Sequence, residues 1–165
     1  ISVDISMWIR DLQAFAAATQ KSGAEITADL EKVTGNKTVL QYDQVIGEWG
    51  KPRSEVGMGV DSQALYYPNS DGAKWDADYY LNTYMPKMVE AYGGESVLRR
   101  VEVRRGIGAQ GGVKPAMINS VHIYANNNAT FGMAGMRAGQ QLMNDAKPIT
   151  TLFPYFASMR VQAVG

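Results

Sequence analysis

The sequence contains no cysteine and a single histidine, His122. Without cysteine the chain can form neither a disulfide nor a thiolate metal site. One histidine cannot build the histidine-rich coordination that many zinc and copper centres use. We therefore predict a protein without a metal site.

The sequence also lacks an excess of charge of one sign, and it lacks long apolar runs. Acidic and basic residues balance at sixteen each, which argues against partners such as nucleic acid or an anionic membrane. No run reaches the length of a membrane-spanning helix and no secretory segment opens the chain, so we predict a cytoplasmic protein. The chain begins without Met in a strand-like stretch, a pattern expected if a leader or part of a larger chain was removed before Ile1.

The most informative positive feature is an internal likeness between the two ends of the chain. Residues 1–49 align without a gap on residues 117–165, at an offset of 116 positions. A repeat of this kind indicates a duplicated structural unit. The identical pairs are Phe15/Phe131, Ala18/Ala134, Gly23/Gly139, Asp29/Asp145, Thr34/Thr150 and Val45/Val161.

The front copy, residues 1–49, has the pattern of a strand, a helix and a second strand. Alternating apolar residues predict a strand over 1–9, and apolar residues at helical spacing predict a helix over 12–32. A β-like stretch follows at 38–48. Glycine, proline and charged residues mark 50–57 as a linker.

Residues 58–165 have the pattern of a complete unit. The predicted strands are 60–67, 96–105, 116–124 and 153–164, and the predicted helices are 76–92 and 130–147. Pro86 lies inside the first helix and is expected to kink or divide it. The glycine-rich stretch 106–113 is expected to be a mobile connection. The order β-α-β-β-α-β is that of a ferredoxin-like α+β fold.

A sheet with helices on one side has a second face that must be covered. Two such sheets can close face to face into a barrel. The front half unit, β-α-β, can either pack on the sheet of the complete unit or extend that sheet at one edge. We therefore expect an α+β barrel and a homodimer. If the other half of the front copy was cut away, the parent was a tandem barrel; otherwise the half copy is an addition for packing.

One stretch of the complete unit resembles the EthD family. That family shows a strand ending in Tyr-Pro, then an aromatic residue with Asp, then Tyr-Tyr, then His-Met-Pro. The corresponding residues are Tyr66-Tyr67-Pro68, Trp75-Asp76, Tyr79-Tyr80 and Tyr84-Met85-Pro86. The second helix and its following turn also match, at Phe131, Gly139, Asp145 and Thr150.

The resemblance implies a dimeric α+β barrel, a fold in which some members act on polyketides, lactones or aromatic compounds without a cofactor. The chain departs from the pattern at one position, where Tyr84 replaces the histidine before Met-Pro. A phenol with a pKa near 10 thereby replaces a group that titrates near neutral pH. Chemistry that depends on that histidine is put in doubt.

The candidate catalytic residues are Tyr84 and His122. Tyr84 would donate a hydrogen bond to a ligand in the barrel cleft, and the alternative is an aromatic that only packs the helix on the sheet. His122 would be a general base if its strand face, shared with Ile118, Ser120 and Tyr124, lines the cleft. The alternative for this lone strand histidine is a structural role.

The predicted ligand contacts are Tyr66, Tyr80, Arg104 and Asn119. Arg104 shares a strand face with Arg100 and Glu102. Such a face would bind an anionic group in a polar cleft, or it is solvated, or it forms a salt-bridged contact between subunits.

Two functional hypotheses follow. The first is a small-molecule protein that binds an apolar or aromatic compound, with cofactor-free acid/base chemistry of the cyclase, isomerase or degradation type. The second is a non-catalytic structural or assembly protein whose barrel faces serve for oligomerisation. A closed pocket lined by Tyr84, His122 and Arg104 would favour the first, and a cleft filled by side chains would favour the second.

Overall fold

A computed structural model describes residues 4–35, 38, 40–147 and 149–162. The chain divides into two compact units, and the boundary lies between Leu40 and Gln41. Among the described residues, no helix is long and apolar enough to cross a membrane.

The smaller unit contains the helix α1, Leu12–Thr34. The Asp11 carboxylate accepts a hydrogen bond from the Ala14 backbone N–H at 2.9 Å and so caps the helix. Gly35 ends it in the left-handed conformation, with φ of +66°. The predicted helix is confirmed. The strand predicted over 1–9 is wrong for residues 4–9, which form no strand, and its first three positions lie outside the described residues.

The larger unit contains five strands and most of the helical residues. The strands are β1 (Gln41–Gly50), β2 (Asp61–Pro68), β3 (Leu98–Ala109), β4 (Met117–Ala125) and β5 (Tyr155–Arg160). The helices are α2 (Ala77–Tyr79), α3 (Met85–Ala91) and α4 (Asn128–Ala146), with short 3-10 turns at Arg53–Glu55, Gly94–Ser96 and Gln110–Gly112. The glycine-rich stretch is therefore partly the end of β3.

The strands form one antiparallel sheet in the order β1-β3-β4-β2-β5. Within it, β3-β4-β2-β5 is the order of a ferredoxin-like β-α-β-β-α-β unit, which confirms the predicted fold class. The strand β1 extends the sheet along the free side of β3, so the front copy contributes an edge strand. The sheet does not close into a barrel.

The pairing explains why residues 4–10 are not a strand. The predicted repeat aligns them with β4, which hydrogen-bonds to β3 on one side and to β2 on the other. The sequence contains β2 and β3 once, and both pair within the complete unit. A strand needs a neighbour for its backbone N–H and C=O groups. The local alternation of apolar residues cannot supply that neighbour.

Pro86 divides the first helix of the complete unit, as predicted. Residues Tyr80–Tyr84 form a π-helical turn between α2 and α3, and Pro86 lies in the first turn of α3. Proline has no N–H to donate to the preceding turn, and the wider turn lies directly before it. The wider turn sets the directions of the aromatic side chains at 80 and 84.

The helices cover one face of the sheet with apolar side chains. Val101, Val103 and Val121 are each at most 1% exposed, and they pack with Met85 and Leu142 from the helices. From α4, Leu142 is buried in this core, and Phe131 and Ala138 pack against it.

Gly106 allows β3 and β4 to approach closely. A Cβ atom at this position would overlap the Met117 carbonyl oxygen and meet Pro115 at 2.8 Å. Gly108, two residues further along the same strand, has only the Tyr42 ring at 3.8 Å from an added Cβ. The two glycines therefore differ in packing, although they occupy the same strand.

We expect Gly106→Ala to lower the free energy of unfolding by about 1–3 kcal/mol, because backbone must move to admit the methyl group. Gly108→Ala is the matched control and should be nearly neutral. Urea denaturation followed by circular dichroism measures both. Equal destabilisation by the two variants would contradict the close approach at Gly106.

Candidate functional site

The six candidate residues divide between the two faces of the sheet. Tyr80, Tyr84 and Asn119 lie on the side covered by the helices. Tyr66, Arg104 and His122 lie on the opposite side. Tyr66 and Arg104 both pair with Ser120, which is two residues before His122 on β4. The structure therefore does not bring Tyr84 and His122 into one site.

The helix-side group is an aromatic cluster inside the core. The ring centroids of Tyr80 and Tyr84 are 5.1 Å apart, and Trp75 lies 4.6 Å from Tyr80 and 4.5 Å from Tyr67. The Trp75 indole N–H donates to the Asn119 side-chain oxygen at 3.0 Å, in the amide orientation that satisfies both groups. These contacts fill the space between helices and sheet.

Burial raises the pKa of both Tyr80 and Tyr84, and neighbouring tyrosines raise each further. Burial also raises the pKa of Tyr67 to about 12. These phenols therefore stay protonated at neutral pH. They can donate a hydrogen bond but cannot act there as general bases.

On the opposite face, His122 lies between Ala64 of β2 and Glu102 of β3. Its Nε2 is 3.2 Å from the Ser120 Oγ, and its ring meets the Tyr66 ring edge-on at 5.7 Å between centroids. His122 is 3% exposed. The predicted face shared by Ser120, His122 and Tyr124 is present, and it is buried.

An ion cluster around the buried Glu102 occupies the same face beside His122. We name it the Glu102 cluster; its members are Glu48, Arg53, Arg100, Glu102 and Arg104. The Glu102 side chain is 0% exposed. Its Oε1 accepts from Arg53 Nη2 at 2.5 Å and from Arg100 Nε at 2.6 Å, and its Oε2 accepts from Arg104 Nη2 at 2.8 Å. Arg100 also pairs with Glu48.

The arginines keep Glu102 ionised in spite of its burial. Desolvation is the largest influence and acts to raise the pKa of Glu102, but hydrogen bonds and charges from Arg100, Arg104 and Arg53 together outweigh it. The pKa therefore lies below the ordinary value of 4.5. The strand face of Arg100, Glu102 and Arg104 is thus internally paired rather than solvated.

Two members of this cluster are not predictable from the local sequence pattern. The alternation of Arg100, Glu102 and Arg104 along one strand gave a visible signal. Arg53 and Glu48 gave none, since their contacts join positions separated by about fifty residues. The predicted linker thus supplies an ion-pair partner.

Two surface depressions of the larger unit are lined by residues other than the six candidates. One of about 500 Å3 is lined by Trp75, Asp76 and Ile149, and a second lies between α3 and α4. Neither contains any of the six predicted site residues. Over the described part of the chain, no group of acidic and histidine residues is arranged to hold a metal ion.

We expect Glu102→Gln to lower the free energy of unfolding by about 3 kcal/mol near neutral pH, because buried arginines lose their counter-charge. The native carboxylate pKa is depressed, so its stabilising effect is present above pH 4.5 and is lost as pH falls through the lower native value. The gap between wild type and variant should therefore narrow below pH 4.5. Urea denaturation from pH 3 to pH 7, with surface variant Glu90→Gln as control, measures this, and a constant gap would contradict it.

Comparison with known proteins supports the fold. No family model and no curated protein matches the sequence. Among solved structures, the chain is similar to the crystal structure of an EthD-like protein from Ralstonia eutropha JMP134, with 22% identity and a TM-score of 0.58. The likeness covers 62% of this chain and 92% of that one. The chain therefore has the α+β fold of an EthD-like protein, as the sequence motifs implied.

Proposed function

We propose that the chain is a non-catalytic assembly module whose β5 edge pairs with a second copy. The proposal rests on the unpaired side of β5 and on the exposed aromatic residues beside it. In the described sheet β5 pairs with β2 alone. The aromatic residues Phe153, Tyr155 and Phe156 are 84%, 63% and 75% exposed.

The two edges of the sheet differ in the features that normally prevent association. The strand β1 carries Asp43 and Glu48 and has two register irregularities against β3. The strand β5 pairs with β2 in continuous register and has no charged residue before Arg160, which is bound to Asp61. Charges and bulges protect an edge from further pairing. By this criterion β5 is the unprotected edge.

The face of the sheet opposite the helices supports a non-catalytic role. The Glu102 cluster and His122 fill it with side chains that are already bound to each other or buried. Tyr84 is on the other side of the sheet. An acid and a base acting on one substrate must reach the same small volume, and the two candidate residues do not.

We expect Phe156→Lys to weaken self-association by at least about tenfold, because it places a charge on the unprotected edge. Met136→Lys is the matched control, since Met136 on α4 is also a large apolar residue and is 81% exposed. Analytical ultracentrifugation over a range of protein concentrations measures the dissociation constant of each.

A wild-type chain that stays monomeric at high concentration would contradict the proposal. So would a Phe156→Lys variant that associates as strongly as wild type. Circular dichroism on the same samples separates lost association from lost folding, and the control variant reports any general effect of an added lysine.

A second candidate is the binding of a small apolar or aromatic molecule, with cofactor-free acid/base chemistry as its finer form. The observation that favours it is that Tyr66, Arg104 and His122 share one polar face. A cation, an imidazole and an aromatic ring together suit an aromatic anion.

A cytoplasmic location stays a prediction of the sequence.

This candidate predicts that His122→Ala weakens binding of an aromatic anion about tenfold or more. Tyr84→Phe should leave binding unchanged, because Tyr84 lies on the other face. Fluorescence titration with 1-anilinonaphthalene-8-sulfonate measures both variants. If the wild type does not bind the dye, or if His122→Ala binds it equally well, this candidate fails.

A further inference from the structure

The connection between β1 and β2 crosses the end of the sheet. We name it the strap and define it as Lys51–Met58. The strands β3 and β4 lie between β1 and β2 in the sheet, so the strap spans about 14 Å at the usual strand spacing. Gly50 and Gly59 bracket it with φ of +83° and +78°, conformations that favour glycine.

The Arg53 side chain joins the middle of the strap to the sheet. Arg53 donates from Nε at 3.0 Å and from Nη2 at 2.5 Å to the same oxygen of Glu102. Its Nη2 is also 3.7 Å from the Glu48 carboxylate. Two donors in the fixed geometry of one guanidinium group converge on a carboxylate, an arrangement that lysine cannot reproduce.

The two ends of the strap are anchored separately. The Lys51 N–H donates to the Arg99 carbonyl at 2.8 Å, and the Lys51 carbonyl accepts from Arg100 Nη1 at 2.7 Å. Towards the other end, the Glu55 carbonyl accepts from Arg99 Nε at 2.8 Å, and the Val56 side chain is 4% exposed. Release of Arg53 alone would therefore free residues 52–54, between these anchors, and leave the anchors in place.

The rest of the Glu102 cluster is balanced without Arg53. Arg100 and Arg104 carry two positive charges, and Glu48 and Glu102 carry two negative ones. Arg100 binds both carboxylates, and Arg104 binds Glu102. Burial lowers the pKa of Arg53, since desolvation is the largest influence on it. Arg53 thus brings the surplus charge of the cluster, while the sheet already holds a neutral set.

We propose that Arg53 is a displaceable latch that closes the strap over the polar face of the sheet. The guanidinium group leaves and re-enters its place against Glu48 and Glu102 while the sheet stays folded. The strap then exists in a latched and an unlatched state. This inference does not depend on the proposed assembly function, because the strap joins β1 to β2 and the proposed contact is at β5.

The test compares Arg53→Ala with Arg53→Lys and Glu102→Gln by amide hydrogen exchange. In Arg53→Ala the amides of residues 53–56 should exchange about tenfold faster, while those of β3 and β4 keep their wild-type rates. Arg53→Lys should be intermediate. Glu102→Gln should accelerate exchange in β3 and β4 as well, because it breaks the balanced set.

Methylguanidinium chloride supplies the missing group to Arg53→Ala. At millimolar concentration it should slow exchange of residues 53–56 towards the wild-type rate, and tetramethylammonium chloride at equal ionic strength should not. Unchanged strap exchange in Arg53→Ala overturns the proposal. Acceleration throughout the sheet in Arg53→Ala also overturns it, because Arg53 would then be part of the structural core. Equal rescue by both salts would show screening rather than occupation of the guanidinium place, and would overturn it too.

Discussion

The charge of Glu102 is the constraint on which the polar face of the sheet depends. A carboxylate without solvent contact is unstable unless it is paired and hydrogen-bonded. Three arginines meet that requirement, and two of them come from the same strand at positions two residues before and after it. The arginines in turn need the carboxylate. Arg100, Glu102 and Arg104 of β3 are therefore held as one unit, and Arg53 adds a third donor from outside the sheet.

The opposite face is organised by a different force. Valines of β3 and β4 pack against methionine and leucine side chains from the helices, with a row of aromatic rings at one end. Apolar burial there is non-directional and tolerates small shifts. The ion cluster depends on direction, because each guanidinium must present its N–H groups to particular oxygens. One face of the sheet is thus stabilised by non-directional apolar packing, and the other face by directional ion pairs.

Local patterns in the sequence were sufficient for the elements whose stability is local. The helix α1 was placed within two residues, because its apolar spacing, Asp11 cap and Gly35 end are readable along the chain. The stretch 4–10 has an equally clear alternation, but a strand also needs partners, which lie elsewhere. The positions of Tyr84 and His122 on opposite faces depend on which side the helices cover. That choice is set by tertiary packing, as is the contact of Arg53 with Glu102.

The likeness to known proteins supports the fold more strongly than it supports the candidate site. The EthD-like fold is supported by motifs, strand order and structural similarity together. The tyrosine in place of the family histidine lies in an aromatic cluster where its hydroxyl stays protonated. The two faces of the sheet also imply different patterns of sequence divergence. On the apolar face, single replacements of similar volume are tolerated. On the polar face, loss of Glu102 leaves its arginines without a counter-charge. Substitutions at the acidic and basic positions of that face must therefore occur together.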